Sequence, residues 1–343
     1  MAQEPAQPAF ENRPKESALG DTEEERHVKD EIDVLVSEVG PRDGLQSIKS
    51  TMPTEAKLRW IEALAAAGLQ EIEVGSFVSP RLLPQMADCA TLVAEANKIE
   101  GLSVLALVPN LKGAQAAVAA GATKVTMPPS ASRSHGLNNI GKTPEQAIEE
   151  VGRVCAFRDS LPAAQRPTVE VGISTAFGCT IEGPVSEDWV IDMAGQLARA
   201  GADSIGLSDT TGYANPAQIK RLFQRLRAEI GSEKMGGAHL HNTRGRGLAN
   251  VVAALEAEVD TFDSSLGGLG GCPYAPGATG NIVTEDLVFM LEAMGLRTGV
   301  NVDALIEARA VLLHGLPGET IYGNVPEVGL PKGFAYASER REP

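Results

Sequence analysis

From residue 32 onward, short runs of β-branched and small apolar residues alternate with longer amphipathic segments. The runs 34–39, 71–75, 103–108, 124–127, 168–174, 204–207, 238–241 and 261–264 predict strands. Segments 54–67, 80–98, 111–120, 143–160, 184–200, 216–230 and 243–256 carry helical periodicity, and 302–312 predicts a further helix. Several helices open on a cap or a first-turn proline: Pro53-Thr54, Thr143-Pro144 and Asn215-Pro216. Glycine closes others, at Gly68, Gly121 and Gly201. Such a strand–helix alternation predicts an α/β protein, a (β/α)8 TIM barrel over residues 32–315. A dinucleotide fold would show GxGxxG after its first strand, where this chain has Val39-Gly40-Pro41-Arg42-Asp43. Residues 1–31 carry prolines and an acidic run and predict a disordered arm, while 316–343 read as a Gly/Pro-rich tail after the last helix.

Composition narrows the class of partner. The net charge of −15 argues against nucleic acid or an anionic membrane surface. No window reaches the ~18 apolar residues of a membrane span. The arm is too polar for a signal peptide and too acidic for a transit peptide, so a cytoplasmic protein is expected. Four scattered cysteines without a CxxC pair give no disulfide framework.

Polar outliers fall where a barrel places its chemistry, at the C-terminal ends of strands and the loops that follow. Arg42 and Asp43 follow the first strand; Glu73 interrupts the apolar second one, and Ser76 ends it. His239 and His241 lie two apart on the seventh, so both imidazoles project to one face. Two satisfied core histidines are the bland alternative, but burying such a pair without a shared partner is costly. A divalent cation is the natural partner, with Asp43 adding a carboxylate and Asn281 an amide oxygen. That donor set suits Mg2+ or Mn2+ better than Zn2+, for want of thiolates. Arg42 is either a charge stabiliser for an enolate oxygen or an ordinary salt bridge. Glu73 is a partner for Arg42, a proton-handling group, or both. Asp209 orients a neighbour or caps its loop. Cys272, in the glycine-rich loop 267–281, is a candidate acid or base on a lid, or an incidental thiol.

The stretches Glu38-Val-Gly-Pro-Arg42-Asp43-Gly-Leu-Gln46, Glu73-Val-Gly-Ser76-Phe-Val-Ser-Pro and the Cys272 loop resemble the 3-hydroxy-3-methylglutaryl-CoA lyases of the DRE-TIM metallolyase family. The likeness runs in order from about residue 32 to residue 312. It implies cleavage of a 3-hydroxy acyl-CoA to acetyl-CoA and a keto acid. By the same resemblance, metal ligation falls on Asp43, His239, His241 and Asn281, enolate stabilisation on Arg42, and acid–base work on Cys272 and Glu73. Gln46, Lys49, Ser76, His135, Asp209 and Arg244 are expected around the substrate, and a homo-oligomer is expected.

Departures from the family pattern cluster near the substrate. Asn242-Thr-Arg244-Gly-Arg246 replaces the usual Asp-Thr-Tyr-Gly-Gln, Ser47-Ile48-Lys49 replaces Asn-Glu-Lys, and loop 130–139 is more polar than in the lyases. These changes predict a different or more polar acyl portion, and citramalyl-CoA or another branched acyl-CoA is the alternative substrate. A condensing synthase is less favoured, because such enzymes carry extra C-terminal domains. A dead scaffold would need a broken catalytic position, and none is seen.

Overall fold

Eight parallel strands close on themselves in sequence order in the computed structural model, which describes residues 32–270 and 280–340. The strands are β1 (Leu35–Glu38), β2 (Glu71–Ser76), β3 (Ser103–Leu107), β4 (Lys124–Met127), β5 (Thr168–Ile173), β6 (Ser204–Asp209), β7 (Met235–Leu240) and β8 (Thr261–Ser264). Closure comes from β1 pairing with β8 through Leu35–Thr261 to Glu38–Ser264. Outward-facing Val, Ile and Ala side chains of the strands pack against the helices and form the apolar core, with Ile72, Val104, Val125, Val171 and Leu207 fully buried. The inward face differs, since Ser37, Glu71, Glu73, Ser208, His239 and Asp263 replace the branched apolar residues usual in a barrel lumen.

Helix ends follow the sequence closely. Thr143 and Gln146 form a capping box, Asn215 caps Pro216–Ile230, and Gly68, Gly121 and Gly201 all take positive φ. Two expectations need correction, and a third segment forms a helix that the periodicity did not predict. Segment 80–98 is not one helix but a 3-10 turn (Pro84–Met86) followed by Cys89–Ala96. The break is pinned from below: buried Lys57 donates to the Gln85 carbonyl and to Asp88 Oδ1 (2.7 Å), and Thr54 donates to Asp88 Oδ2 (2.8 Å). At the second site, the polar loop after β4 contains a helix, Arg133–Ile140, capped by Ser132 and stopped by Gly141 at φ 68°. Thirdly, Thr284–Ala293 is helical without a side-chain cap, and most of its residues are buried, which hides the amphipathic period.

The C-terminal segment lies against the barrel. Asp286 accepts the amides of Asn324 and Val325, and Tyr336 Oη accepts the amide of Val302. The arm 1–31 and Cys272 lie outside the described residues. Among the described residues no helix is long and apolar enough to cross a membrane.

Candidate metal centre

The turn after β1 sets the site. Gly40–Gly44 form a π-helical turn, and buried Glu38 organises it by accepting the Gly40 amide (2.8 Å), the Leu266 amide (2.9 Å) and the Thr284 hydroxyl (2.6 Å). One carboxylate thus ties the starts of two mouth loops and a helix together. Burial, only partly offset by those donors, pushes Glu38 up to about 8. Packing against the same turn, Gly270 sits at φ 90°, where a Cβ would lie 2.7 Å from Gly44 Cα, so this approach requires glycine.

Arg42 and Asp43 leave that turn in the direction of β2 and β7. Arg42 Nε donates to Glu73 Oε2 and its Nη1 to Asp43 Oδ1, both at 2.5 Å. Asp43 Oδ2 accepts from Asn281 Nδ2 (2.6 Å). The alternation on β7 aims both imidazoles inward as expected, and His239 Nε2 stands 3.0 Å from His241 Nε2. Ligand atoms of Asp43, His239 and His241 all lie within 4.8 Å of one another. His241 sits one residue past β7, bridged to Asn281 across the end of the β8 loop.

The electrostatics follow from burial and pairing. Burial acts to raise Asp43, but Arg42 and the two histidines outweigh it and hold the carboxyl well below the usual range. His241 is pushed down to about 3 by burial and by its neighbour His239. Burial also lowers His239, yet Asp263 at its Nδ1 reverses the balance and raises it. Glu73 is pushed up to about 7 by burial, against the pull of Arg42.

Several polar atoms here are buried without a partner among the described residues: Asn281 Oδ1, His241 Nδ1, Glu73 Oε1, Ser76 Oγ, Gln46 Oε1 and Asp209 Oδ2. Orphaned polar atoms are rare in folded interiors, and so many converging on one barrel mouth mark a ligand site. The donor set, one carboxylate, two imidazoles facing each other and one amide oxygen, fits a divalent cation.

The remaining predicted residues surround this centre unequally. Asp209 ends β6, and its Oδ1 accepts the amides of Tyr213 (2.8 Å) and Ala214 (3.0 Å), so it does cap its loop. His135 Nδ1 lies 3.0 Å from Ser130 Oγ, which shares a 2.8 Å hydrogen bond with Thr175 Oγ1. Thr175 is buried at φ 57°, a strained conformation for a β-branched residue, held by these hydroxyl contacts. Arg244 Nη1 donates to the carbonyls of Thr211 and Gly212, and its guanidinium stacks 4.6 Å from the Tyr213 ring. Arg246 reaches the Gly212 and Tyr213 carbonyls (both 3.4 Å), and Arg133 pairs with Glu145 at the surface. Much of the basic character predicted for the substrate rim is therefore spent within the protein. Lys49 is exposed beyond the π-turn. Sequence reasoning missed Glu38 and Asp263 as organisers of the site. For Asp263 a signal existed: a carboxylate at an inward position of a strand.

A family model described as HMGL-like matches residues 33–312. This chain belongs to the HMGL-like family. It is 40% identical to the mitochondrial hydroxymethylglutaryl-CoA lyase of Gallus gallus over 289 residues, covering 84% of this chain and 95% of that one. It is 41% identical to the cytoplasmic 3-hydroxy-3-methylglutaryl-CoA lyase of Rattus norvegicus over 277 residues, 80% of this chain and 79% of that one. Among solved structures it resembles an HMG-CoA lyase from Acinetobacter baumannii in complex with coenzyme A and 3-methylmalate. There the identity is 38% and the TM-score 0.81, over 88% of this chain and 97% of that one.

Proposed function

We propose that this HMGL-like protein is a divalent-metal-dependent carbon–carbon lyase that cleaves 3-hydroxy-3-methylglutaryl-CoA, or a close 3-hydroxy acyl-CoA, to acetyl-CoA and a keto acid. The observation that carries the reading is the convergence of Asp43, His239 and His241 within 4.8 Å, beside Arg42. Asp43, His239, His241 and Asn281 Oδ1 would hold Mg2+ or Mn2+. When bound, such an ion supplies Lewis-acid polarisation of the substrate oxygens.

The reaction breaks the C2–C3 bond. The C3 hydroxyl proton leaves, the C2–C3 electron pair moves into the thioester as an enolate, C3 becomes a ketone, and a proton returns to C2. Arg42 serves the developing enolate oxygen. Glu73 and Asp43 hold the guanidinium in place at two nitrogens, so it needs no reorganisation as charge appears. Glu73 Oε1 has no partner among the described residues, and a carboxyl pushed up to about 7 can hold or release a proton at working pH. Cys272, on the glycine-rich loop, returns the proton to C2. Ser76 and Gln46 offer buried polar atoms to the acyl group, as does Asp209 Oδ2, while His135 and Arg244 border it. Lys49 offers a cation to the anionic coenzyme. A cytoplasmic homo-oligomer belongs to the same proposal.

Use of Arg133, Arg244 and Arg246 within the protein favours the methylglutaryl compound over a more acidic relative. The deciding experiment measures acetyl-CoA release from 3-hydroxy-3-methylglutaryl-CoA, citramalyl-CoA and longer branched analogues, before and after chelation. Release from none of them with Mg2+ or Mn2+ present would overturn the reading. A kcat/KM for citramalyl-CoA above that for the methylglutaryl compound would reassign the substrate.

A further inference from the structure

Asp263 is the second residue from the end of β8, and its carboxylate points into the lumen instead of a branched apolar side chain. The barrel register places it directly beside His239 on β7 and beside Ser37 on β1. Its Oδ2 lies 2.9 Å from His239 Nδ1. On the other side of the same ring, His239 Nε2 faces His241 Nε2 at 3.0 Å and the Asp43 carboxylate.

This arrangement constrains where the imidazole proton sits. A carboxylate can only accept, so the hydrogen bond at Nδ1 requires a proton there. A neutral His239 then presents the Nε2 lone pair to the cluster, the form in which imidazole binds metal. His241 has no such guide among the described residues, where its Nδ1 is buried without a partner. The two histidines are thus unequal: His239 has a carboxylate at Nδ1, while among the described residues His241 has its ring contact with His239 and no partner at Nδ1.

We infer that Asp263 is a positioning residue that fixes the tautomer and ring plane of His239, so that Nε2 is held ready for a divalent cation. This rests on the reading that Asp43, His239 and His241 bind such an ion. Carboxylates behind a ligating histidine typically strengthen metal binding by about 10–100-fold, because they remove the tautomeric and rotational freedom the ligand would otherwise lose.

Mn2+ binding to the full chain without substrate, read from the electron paramagnetic resonance signal of free Mn2+, tests it. Asp263→Asn, which keeps the shape but no longer demands a proton at Nδ1, should weaken Mn2+ by about 10–100-fold. Asp263→Glu should recover part of the loss. Unchanged affinity in the asparagine variant would overturn the inference while leaving the metal reading intact. Absence of Mn2+ binding by the unaltered chain would overturn both. Should the asparagine variant not fold, long-range 1H–15N spectra of the unaltered protein decide. With five histidines in the whole chain the resonances are few. His239 protonated at Nδ1 supports the inference, and His239 protonated at Nε2 in the neutral form defeats it.

Discussion

At the floor of the barrel Glu71, the first residue of β2, accepts from Lys124 Nζ at 2.5 Å and from Ser103 Oγ at 3.4 Å, whereas at the mouth Asp43, His239, His241 and Asn281 converge with acceptor atoms to spare. Both clusters place ionisable groups inside one lumen. At the floor Lys124 acts on two carboxylates, Glu71 and Glu170; burial and the nearby Glu71 push the Glu170 carboxyl up against the pull of Lys124, so the charges there are balanced by groups of the chain itself. At the mouth, Asn281 Oδ1, Glu73 Oε1 and His241 Nδ1 are buried without a partner among the described residues, a cost that the contacts of those residues leave uncompensated. What separates the two clusters is the state of their remaining lone pairs, since both place charged groups inside the same lumen.

Removing the ion from the mouth should have the largest effect. Chelation, or Asp43→Ala, is expected to lower turnover by roughly 10³-fold or more, with Mg2+ or Mn2+ restoring the chelated protein but not the variant. Normal turnover in metal-free protein would collapse the distinction between the two clusters. Next in size is Arg42→Lys, which keeps the charge and loses the planar fork that engages Glu73 and Asp43 together. A drop in kcat of at least about 10²-fold with little change in KM is expected. A rise in KM alone would make Arg42 a substrate anchor instead.

The floor should answer to stability rather than to metal. Glu71→Gln removes the carboxylate that Lys124 bonds, leaves Glu170 as its charged neighbour, and should destabilise the fold by roughly 3–5 kcal/mol at most, as for a broken buried pair. The low end applies, because the Lys124 side chain remains 25% exposed. Joint replacement of Glu71 and Glu170 by Gln and of Lys124 by Met should cost less than the single change, because no buried charge is then left alone. Denaturant unfolding measures both, and Mn2+ affinity should stay at the parent level. A large loss of Mn2+ affinity in the floor variants would show that the two clusters act as one.

The smallest expected effect concerns Asp209, whose carboxyl burial pushes up to about 7 despite the two amides it accepts. Its pKa is higher folded than unfolded, so the folded state holds the proton more tightly. Stability from this group is full below the ordinary value of 3.8 and is lost as pH rises towards about 7. Asp209→Asn should flatten the unfolding free energy over that window. A slope identical to the parent's would remove Asp209 from the titration.

Much of this was legible beforehand, for reasons particular residues make plain. The His239-Leu240-His241 alternation shows by itself that two imidazoles share a face, because strand geometry has period two. Glycine stops at Gly68, Gly121 and Gly201 marked helix ends, because a positive φ there disfavours a Cβ. Segment 80–98 misled, because its break depends on Lys57 reaching across from another helix. Thr284–Ala293 escaped notice because burial on most sides erases the polar face that periodicity requires.

The chain's own pattern determined the barrel, the inward direction of His239, His241 and Glu73, and the kinds of donor atom available to a cation. Tertiary structure alone decided which charges find partners. Lys124 meets Glu71, 53 residues away, and Asp263 meets His239, 24 residues away, because closure of β8 onto β1 fixes the register around the ring. Period-two alternation tells a residue which face it occupies, but not which residue lies opposite. The opposite residue is set by strand stagger, a property of the whole closed sheet, and it gave Glu71 its partner Lys124 and left Asn281 Oδ1 without one among the described residues.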